Sequence, residues 1–448
     1  MKSRLPKVLH PICGRPMLAY VIDAAVAATG QRPVIVYSPA TEQLCEAFDG
    51  QADFALQDEP RGTADAVRAG LAAIADETGE VVIMSGDVPL VESDTVRHVV
   101  AARRLSGAPM ALAAIDSDDA TGYGRVVLAD GDEVERIVEE RDASPAERAV
   151  TLYNGGLYAV DVAWLRGVLP RIEPSSATGE LYLTALIAMA ARSGRSAVAA
   201  HEPADGLWSL EFQGVNDRED LALVTPTLQY RVLQQLMLAG VTIVDPESTW
   251  IEADVDIAED VTIEPNVILG GQTRIGRDTL IRAGSQVFDS AIGERCTVWS
   301  SVVERSSVGN DVKIGPFAHL RPGCEIGDGA EVGNYAEQKA TRFGARSKQH
   351  HFSYLGDADI GEDVNIGAGT ITANYDGRAK HRTVIGDRAF IGSDTILRAP
   401  VTIGEDAVTG AGSVVTRDVP PGKLAVGVPA RIRSRRSAEE SAGQEPPS

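Results

Sequence analysis

The chain lacks a basic excess. Its 448 residues carry 42 Lys and Arg against 64 Asp and Glu, a net charge of −22. Binding along nucleic acid needs cations to neutralise phosphates, so nucleic acid is excluded as the main partner, although local basic pockets are not. Cysteine is scarce: Cys13, Cys45, Cys296 and Cys324 stand far apart, without metal or redox spacing. They read as buried thiols of a reducing compartment. No apolar run approaches the length of a membrane span, and no signal-peptide pattern opens the chain. A soluble, cytoplasmic protein without membrane insertion is the expectation. Its length leaves room for two or more domains with sizeable cores.

What is abundant is a beat of six. Aliphatic residues stand at Ile251, Ile257, Ile263, Leu269, Ile275 and Ile281, and the beat resumes at Ile292 and Val298. It continues at Val308, Ile314, Leu320, Ile326 and Val332, returns at Ile360 and Ile366, and again at Ile385, Ile391, Leu397 and Ile403. A period of six fits neither a helix nor an alternating strand. It fits a parallel β-helix, in which three hexads make one coil of about 18 residues and each aliphatic side chain stacks inward. Two interruptions, near residues 338–353 and 374–381, are expected to leave the solenoid as loops and to form binding surface.

Upstream, apolar runs at residues 33–37, 80–84 and 108–114 alternate with helical patterns at 17–29 and 64–75. That alternation predicts an α/β fold with a buried parallel sheet and ligands at the strands' carboxyl ends. Asp87 follows the second run, where such a sheet presents a metal-binding carboxylate; strand-end aspartates also commonly cap turns. A helical pattern ends over 227–239, with Pro226 suited to its first turn and Gly240 to its C-cap. The domains read as 1–218 (α/β), 219–240 (linker helix), 241–433 (β-helix) and 434–448, a Ser-, Glu- and Pro-rich tail expected to be disordered.

Several strings together carry a resemblance: Leu5-Pro6-Lys7-Val8-Leu9-His10, Gly62-Thr63-Ala64-Asp65-Ala66, Ser85-Gly86-Asp87-Val88-Pro89-Leu90, Thr121-Gly122-Tyr123-Gly124-Arg125, Leu320-Arg321-Pro322-Gly323, Tyr354-Leu355-Gly356-Asp357 and Asn365-Ile366-Gly367-Ala368-Gly369-Thr370. To about Arg431 the chain resembles the bacterial bifunctional enzymes that join glucosamine-1-phosphate N-acetyltransferase to N-acetylglucosamine-1-phosphate uridyltransferase. The resemblance implies a Rossmann-like nucleotidyltransferase domain, a linking helix and a left-handed parallel β-helix assembled as a homotrimer. It implies UTP, acetyl-CoA and sugar phosphates as substrates, and a product that feeds peptidoglycan and other envelope precursors.

The residue roles also come from the resemblance. Asp87 and Asn216 hold Mg²⁺, oxygen donors suited to a hard cation. Lys7 faces phosphate, and Gln57, Gly62 and Thr63 read the uracil. Ser85 and Gly86, just ahead of Asp87, also bind substrate, and Gly124, Glu139 and Asn154 contact the sugar. In the repeat, His351 is the base that takes the proton from the sugar amine, oriented by Glu337. Arg321, Lys339 and Lys380 gather at the sugar phosphate, with Tyr354 and Asn365 completing that site. Ala368, Asn374, Tyr375, Ser393 and Ala411 line the acetyl-CoA groove, Ser393 nearest the developing oxyanion. Arg431, in an ending that departs from the family's usual one, is the candidate for CoA phosphate.

A second departure lies at the start. The family pattern opens with a strand and a glycine-rich loop that cradles nucleotide phosphates, and Met1 falls on that motif's last residue. Either the start is placed at an internal Met or uridylyl transfer is lost, which would leave an acetyltransferase on a damaged scaffold. A non-catalytic trimeric β-helix is the third reading, opposed by intact His351, Arg321 and Lys339.

Overall fold

The computed structural model describes residues 1–175, 179–203 and 206–435. The expected tail therefore lies almost wholly outside the described residues. Contacts divide the chain into two compact units, Met1–Leu228 and Gln229–Ser448.

In the first unit the elements are α1 (Met17–Thr29), β1 (Val34–Tyr37), β2 (Asp53–Leu56), α2 (Thr63–Leu71), β3 (Glu80–Ile83), α3 (Ser93–Ser106), β4 (Met110–Asp116), β5 (Arg125–Leu128), β6 (Glu133–Val138), β7 (Leu152–Asp161), α4 (Ala185–Arg192) and β8 (Ala197–His201). The wholly parallel sheet that the apolar runs suggested is not what forms. The six-stranded sheet runs β3-β7-β4-β8-β6-β5, with β7 antiparallel to both β3 and β4 and only β4 and β8 parallel. Apolar runs report burial on both faces, which a central antiparallel strand satisfies equally well. β4 is the core strand: Met110 through Ile115 are buried, at 0–1% exposure.

β1 and β2 pair in parallel as a separate two-stranded sheet. The edges of β1 and β3 both face one cavity of about 2020 Å³, lined by Val34, Ile35 and Val36 on one side and Val81, Val82 and Ile83 on the other. Backbone donors and acceptors along those two edges have no strand partner among the described residues.

One helix, α5 (Arg218–Leu238), follows and runs straight through Pro226, which does not open a helix of its own. The start is set eight residues earlier. Asp217 Oδ1 accepts the N–H groups of Glu219 and Asp220 at 2.9 and 3.0 Å, an N-cap that outranks a proline. Beside the proline, Thr225 donates its hydroxyl to the Leu221 carbonyl at 2.6 Å. At the other end Gly240 takes φ +98°, its N–H reaching Met237 O and that of Val241 reaching Leu236 O, the paired bonds of a Schellman stop.

The second unit is a left-handed parallel β-helix of three sheets, with twelve, ten and nine strands among the described residues. Its core is the aliphatic beat itself: Ile251, Ile263, Leu269, Ile281, Leu320 and Ile391 are all wholly buried. One expected loop is absent. Residues 338–353 form regular coil, with strands Ala336–Lys339, Arg342–Phe343, Lys348–Gln349 and Ser353–Gly356 in the ladder. The beat falls silent there because Gln338 and Gln349 occupy inward positions and share a hydrogen bond instead of packing as aliphatics. The second interruption is a true excursion between strands Ile371–Ala373 and Thr383–Ile385, closed by an antiparallel bridge from Tyr375 to Lys380.

Candidate active sites

The first unit brings Lys7, Asp87 and Asn216 to one point. Lys7 Nζ lies 2.6 Å from Asp87 Oδ2 and 3.1 Å from Asn216 Oδ1. Asp87 sits in the turn after β3, and Val215 donates its N–H to the Asp87 carbonyl at 2.9 Å, which ties two segments distant in sequence. Two protein oxygens already converge on a cation. That donor set suits a hard divalent ion which draws its remaining ligands from water and substrate phosphates. No group of three or more His, Cys, Asp or Glu that could hold a metal exists among the described residues.

Five expected residues, Thr63, Ser85, Gly86, Glu139 and Asn154, line the cavity that reaches the edges of β1 and β3. Gly62 is held at φ +121°, where an added Cβ would lie 2.6 Å from the Leu181 carbonyl oxygen, so no side chain fits. Thr63 accepts the N–H of Leu183 at 2.9 Å, and Gln57 donates to Gly62 O at 3.2 Å and to Asp65 Oδ2 at 2.9 Å. Opposite, Gly124 packs beside Glu139, whose Oε1 accepts from Thr184 at 3.1 Å, and the Gly124 carbonyl accepts the Asn154 N–H at 2.9 Å. Asn154 Nδ2 donates to the Tyr158 hydroxyl at 2.6 Å. Burial, more than Glu139 nearby, pushes that phenol up to about 12, so it stays neutral. Asp65, Tyr158 and Thr184 went unread in the sequence; Asp65 lies inside a quoted motif, while the other two carry no local signal.

In the β-helix, Arg321, Glu337, Lys339 and Tyr354 come together on one face. The ladder sets Glu337 opposite both His319 and Tyr354, and Lys339 opposite Gly356. Arg321 Nη1 donates to Glu337 Oε1 at 3.0 Å, and this partner raises the guanidinium's pKa. Glu337 is thus committed to Arg321 and makes no bond to His351. The histidine with a carboxylate partner is its neighbour His350, 2.8 Å from Glu331 Oε2. Lys380 arrives from the excursion beside Lys339, and that contact lowers the Lys380 pKa. Two adjacent ammonium groups mark a place for an anion.

His351 is at a coil corner, not in a loop. The ladder pairs Gln349 with Ile366, Ile366 with Ile391 and Ile391 with Thr409. Two residues past each of these lie His351, Ala368, Ser393 and Ala411, which therefore form one column along a single edge. With about 4.8 Å between strands, the column spans about 14 Å. Asn365 sits three residues ahead of it on the adjoining face, between Lys348 and Phe390. Asn374 donates to Asp357 Oδ2 at 2.5 Å, and Tyr375 is exposed. Arg431 lies on the second strand of the closing hairpin, opposite Val426 and two strands beyond the column.

Residues 1–207 match the MobA-like NTP transferase domain, and residues 305–337 and 382–417 match the bacterial transferase hexapeptide repeat. Fold, cleft and column together define a two-part transferase, a nucleotidyltransferase followed by a hexapeptide-repeat acyltransferase. The chain is 44% identical over 430 residues to "Bifunctional protein GlmU" of Pelobacter propionicus, covering 95% of this chain and 92% of that one. It is 44% identical over 431 residues to the protein of that name from Trichlorobacter lovleyi, at 95% and 92% coverage. To that from Mycobacterium bovis it is 41% identical over 434 residues, at 95% and 87%. The chain belongs to the bifunctional GlmU family. It is a transferase of both kinds, moving acetyl from acetyl-CoA to glucosamine-1-phosphate and uridylyl from UTP to N-acetylglucosamine-1-phosphate, the latter with a metal.

Proposed function

We propose that residues 1–218 carry the uridylyl step, residues 241–433 the acetyl step, and 219–240 the link between them. In the acetyl step the neutral sugar amine attacks the thioester carbonyl while His351 takes its proton, and the tetrahedral oxyanion forms near Ser393. Collapse breaks the C–S bond and expels the CoA thiolate. Arg321, Lys339 and Lys380 hold the sugar phosphate, Tyr354 and Asn365 the ring, and Ala368, Asn374, Tyr375 and Ala411 the CoA arm, with Arg431 at its phosphate end. The observation that supports this reading is a column containing His351 along the edge that adjoins the face of Arg321 and Lys339, with Lys380 beside Lys339.

In the uridylyl step Asp87 and Asn216 would hold Mg²⁺, which would offset triphosphate charge; the sugar phosphate oxygen attacks the α-phosphorus of UTP, the bond from that phosphorus to the β-phosphate bridging oxygen breaks, and pyrophosphate leaves. Lys7 moves from those oxygens to phosphate. Gln57, Gly62 and Thr63 face the base, Ser85 and Gly86 support the metal turn, and Gly124, Glu139 and Asn154 face the sugar. The working enzyme is a cytoplasmic homotrimer whose product serves envelope synthesis. His351→Asn tests the assignment: acetyl transfer falls by about 10²–10⁴-fold, the range of a lost general base, while uridylyl transfer holds. Unchanged acetyl transfer would remove His351 from the mechanism.

A further inference from the structure

The inner wall behind His351 carries two wholly buried glutamines, where the other wholly buried polar side chains of the solenoid are Ser and Thr among the described residues. Gln338 and Gln349 are wholly buried, in ladder columns otherwise filled by Leu320 and Leu355 and by Val332 and Ile366. Gln338 Nε2 donates to Gln349 Oε1 at 2.7 Å, Gln349 Nε2 donates to Ser353 Oγ at 2.8 Å, and Ser353 Oγ donates to the His351 carbonyl at 2.9 Å. The last bond orients the whole chain. A hydroxyl that gives its proton to a carbonyl has only lone pairs left for Gln349, which must present its NH₂ there and its oxygen to Gln338.

We propose that this relay is a positioning device for His351, built into the core to hold the base at its corner. The inference rests on the reading of His351 as the acetyl-transfer base. Two observations point to it. Among the described residues, the Ser353 hydroxyl supplies the one hydrogen bond to the His351 main chain, whereas its neighbours His350 and Phe352 are tied by backbone bonds from Asn334 and Gly369. The relay also has a price in stability: Gln338 Oε1 is buried with no partner, where an aliphatic side chain would leave nothing unsatisfied. A core that only needed filling would not contain it. Gln338 itself lies between Glu337 and Lys339, and its main-chain carbonyl accepts the Arg321 N–H at 2.9 Å.

The test pairs two kinds of variant in the full-length protein. Gln338→Met with Gln349→Met removes both amides at nearly constant volume and leaves no orphaned partner between them. We expect melting temperature and uridylyl transfer to hold or improve, KM for glucosamine-1-phosphate to stay nearly unchanged, and kcat for acetyl transfer to fall roughly 10- to 100-fold, as for a slightly misplaced catalytic group. Ser353→Ala should reproduce the kcat loss and Ser353→Thr should restore it, a comparison that survives even if the double variant folds poorly. Wild-type kcat in the double variant, or in Ser353→Ala, would overturn the relay. A kcat loss matched by equal losses in uridylyl transfer and melting temperature would also overturn it, by showing a structural role alone. Failure of the base reading looks different, because His351→Asn would then leave acetyl transfer intact.

Discussion

Gly356→Ala is a small change with a large expected effect. Gly356 pairs with Lys339 at the end of its strand, and its missing side chain makes room for two site residues. A Cβ there would lie 2.6 Å from Tyr354 Cζ and 2.8 Å from Asn374 Nδ2, and closer still to the Tyr354 hydroxyl. Carbon contacts settle at about 3.5–4.0 Å, so both side chains must withdraw by about 1 Å or more. Both are side-chain ends, and the backbone at Gly356 is not in the left-handed region, so the fold can absorb the change at about 1–3 kcal/mol. The site cannot. In the proposed acetyl site Tyr354 would be pushed from the sugar, and Asn374 would lose its 2.5 Å bond to Asp357, which frees the excursion that delivers Lys380. We expect kcat/KM for acetyl transfer, read from thiol release with glucosamine-1-phosphate, to fall roughly 10²-fold, the cost of an ångström's misplacement. Uridylyl transfer in the same preparation should be unchanged. Normal acetyl kinetics in a folded variant would refute the argument that these three residues share one crowded site.

Asp87→Asn should abolish metal-dependent uridylyl transfer and spare acetyl transfer, since the two sites share no residue; assays of both reactions on one preparation decide it. Lys339→Met should return the Lys380 amine upward, because its neighbouring ammonium is what lowers it, and should raise KM for the sugar phosphate more than it lowers kcat. Asp376 is depressed by the N–H groups of Ala379 and Arg378 and by His381, so its hold on the excursion is present above the ordinary carboxylate pKa near 4 and is lost as pH falls through its own lower value. Exchange protection at Arg378 and Ala379, taken relative to the intrinsic rate at each pH, should therefore hold at neutral pH and be lost only in strong acid; in Asp376→Asn it should be weak throughout. Light scattering at micromolar concentration should give the mass of three chains, and a monomer would refute the trimer.

The solenoid was legible because its inward residues repeat faithfully, and a side chain's direction in a β-helix follows from its place in the hexad. The same rule misled at residues 338–353. Gln338 and Gln349 keep the phase but not the chemistry, so a reading tuned to aliphatics heard a loop in regular coil. Pro226 misled in the opposite direction, a strong local signal overruled by the Asp217 cap and by burial of Val224 and Leu228. The meeting of Lys7, Asp87 and Asn216 has no local signature, because it depends on how distant segments pack; it was reached through family motifs. Glu337 shows their limit. A motif names a residue without naming its partner, and the structure gives Glu337 to Arg321.

The column from His351 to Ala411 makes the number of coils a unit of measure. Each coil advances the edge by about 4.8 Å, so in the proposed acetyl site the distance from the base to the far end of the groove is counted, not tuned. An insertion or deletion of one whole coil before His319 would lengthen or shorten the barrel and leave every distance within the acetyl site as it was. The same event between His351 and Ala411 would displace one end by a full step, which no side-chain adjustment recovers. Length variation among functional descendants of this chain should therefore fall in the coils between α5 and His319, and the segment from His319 to Ala411 should tolerate substitution but not a change of length.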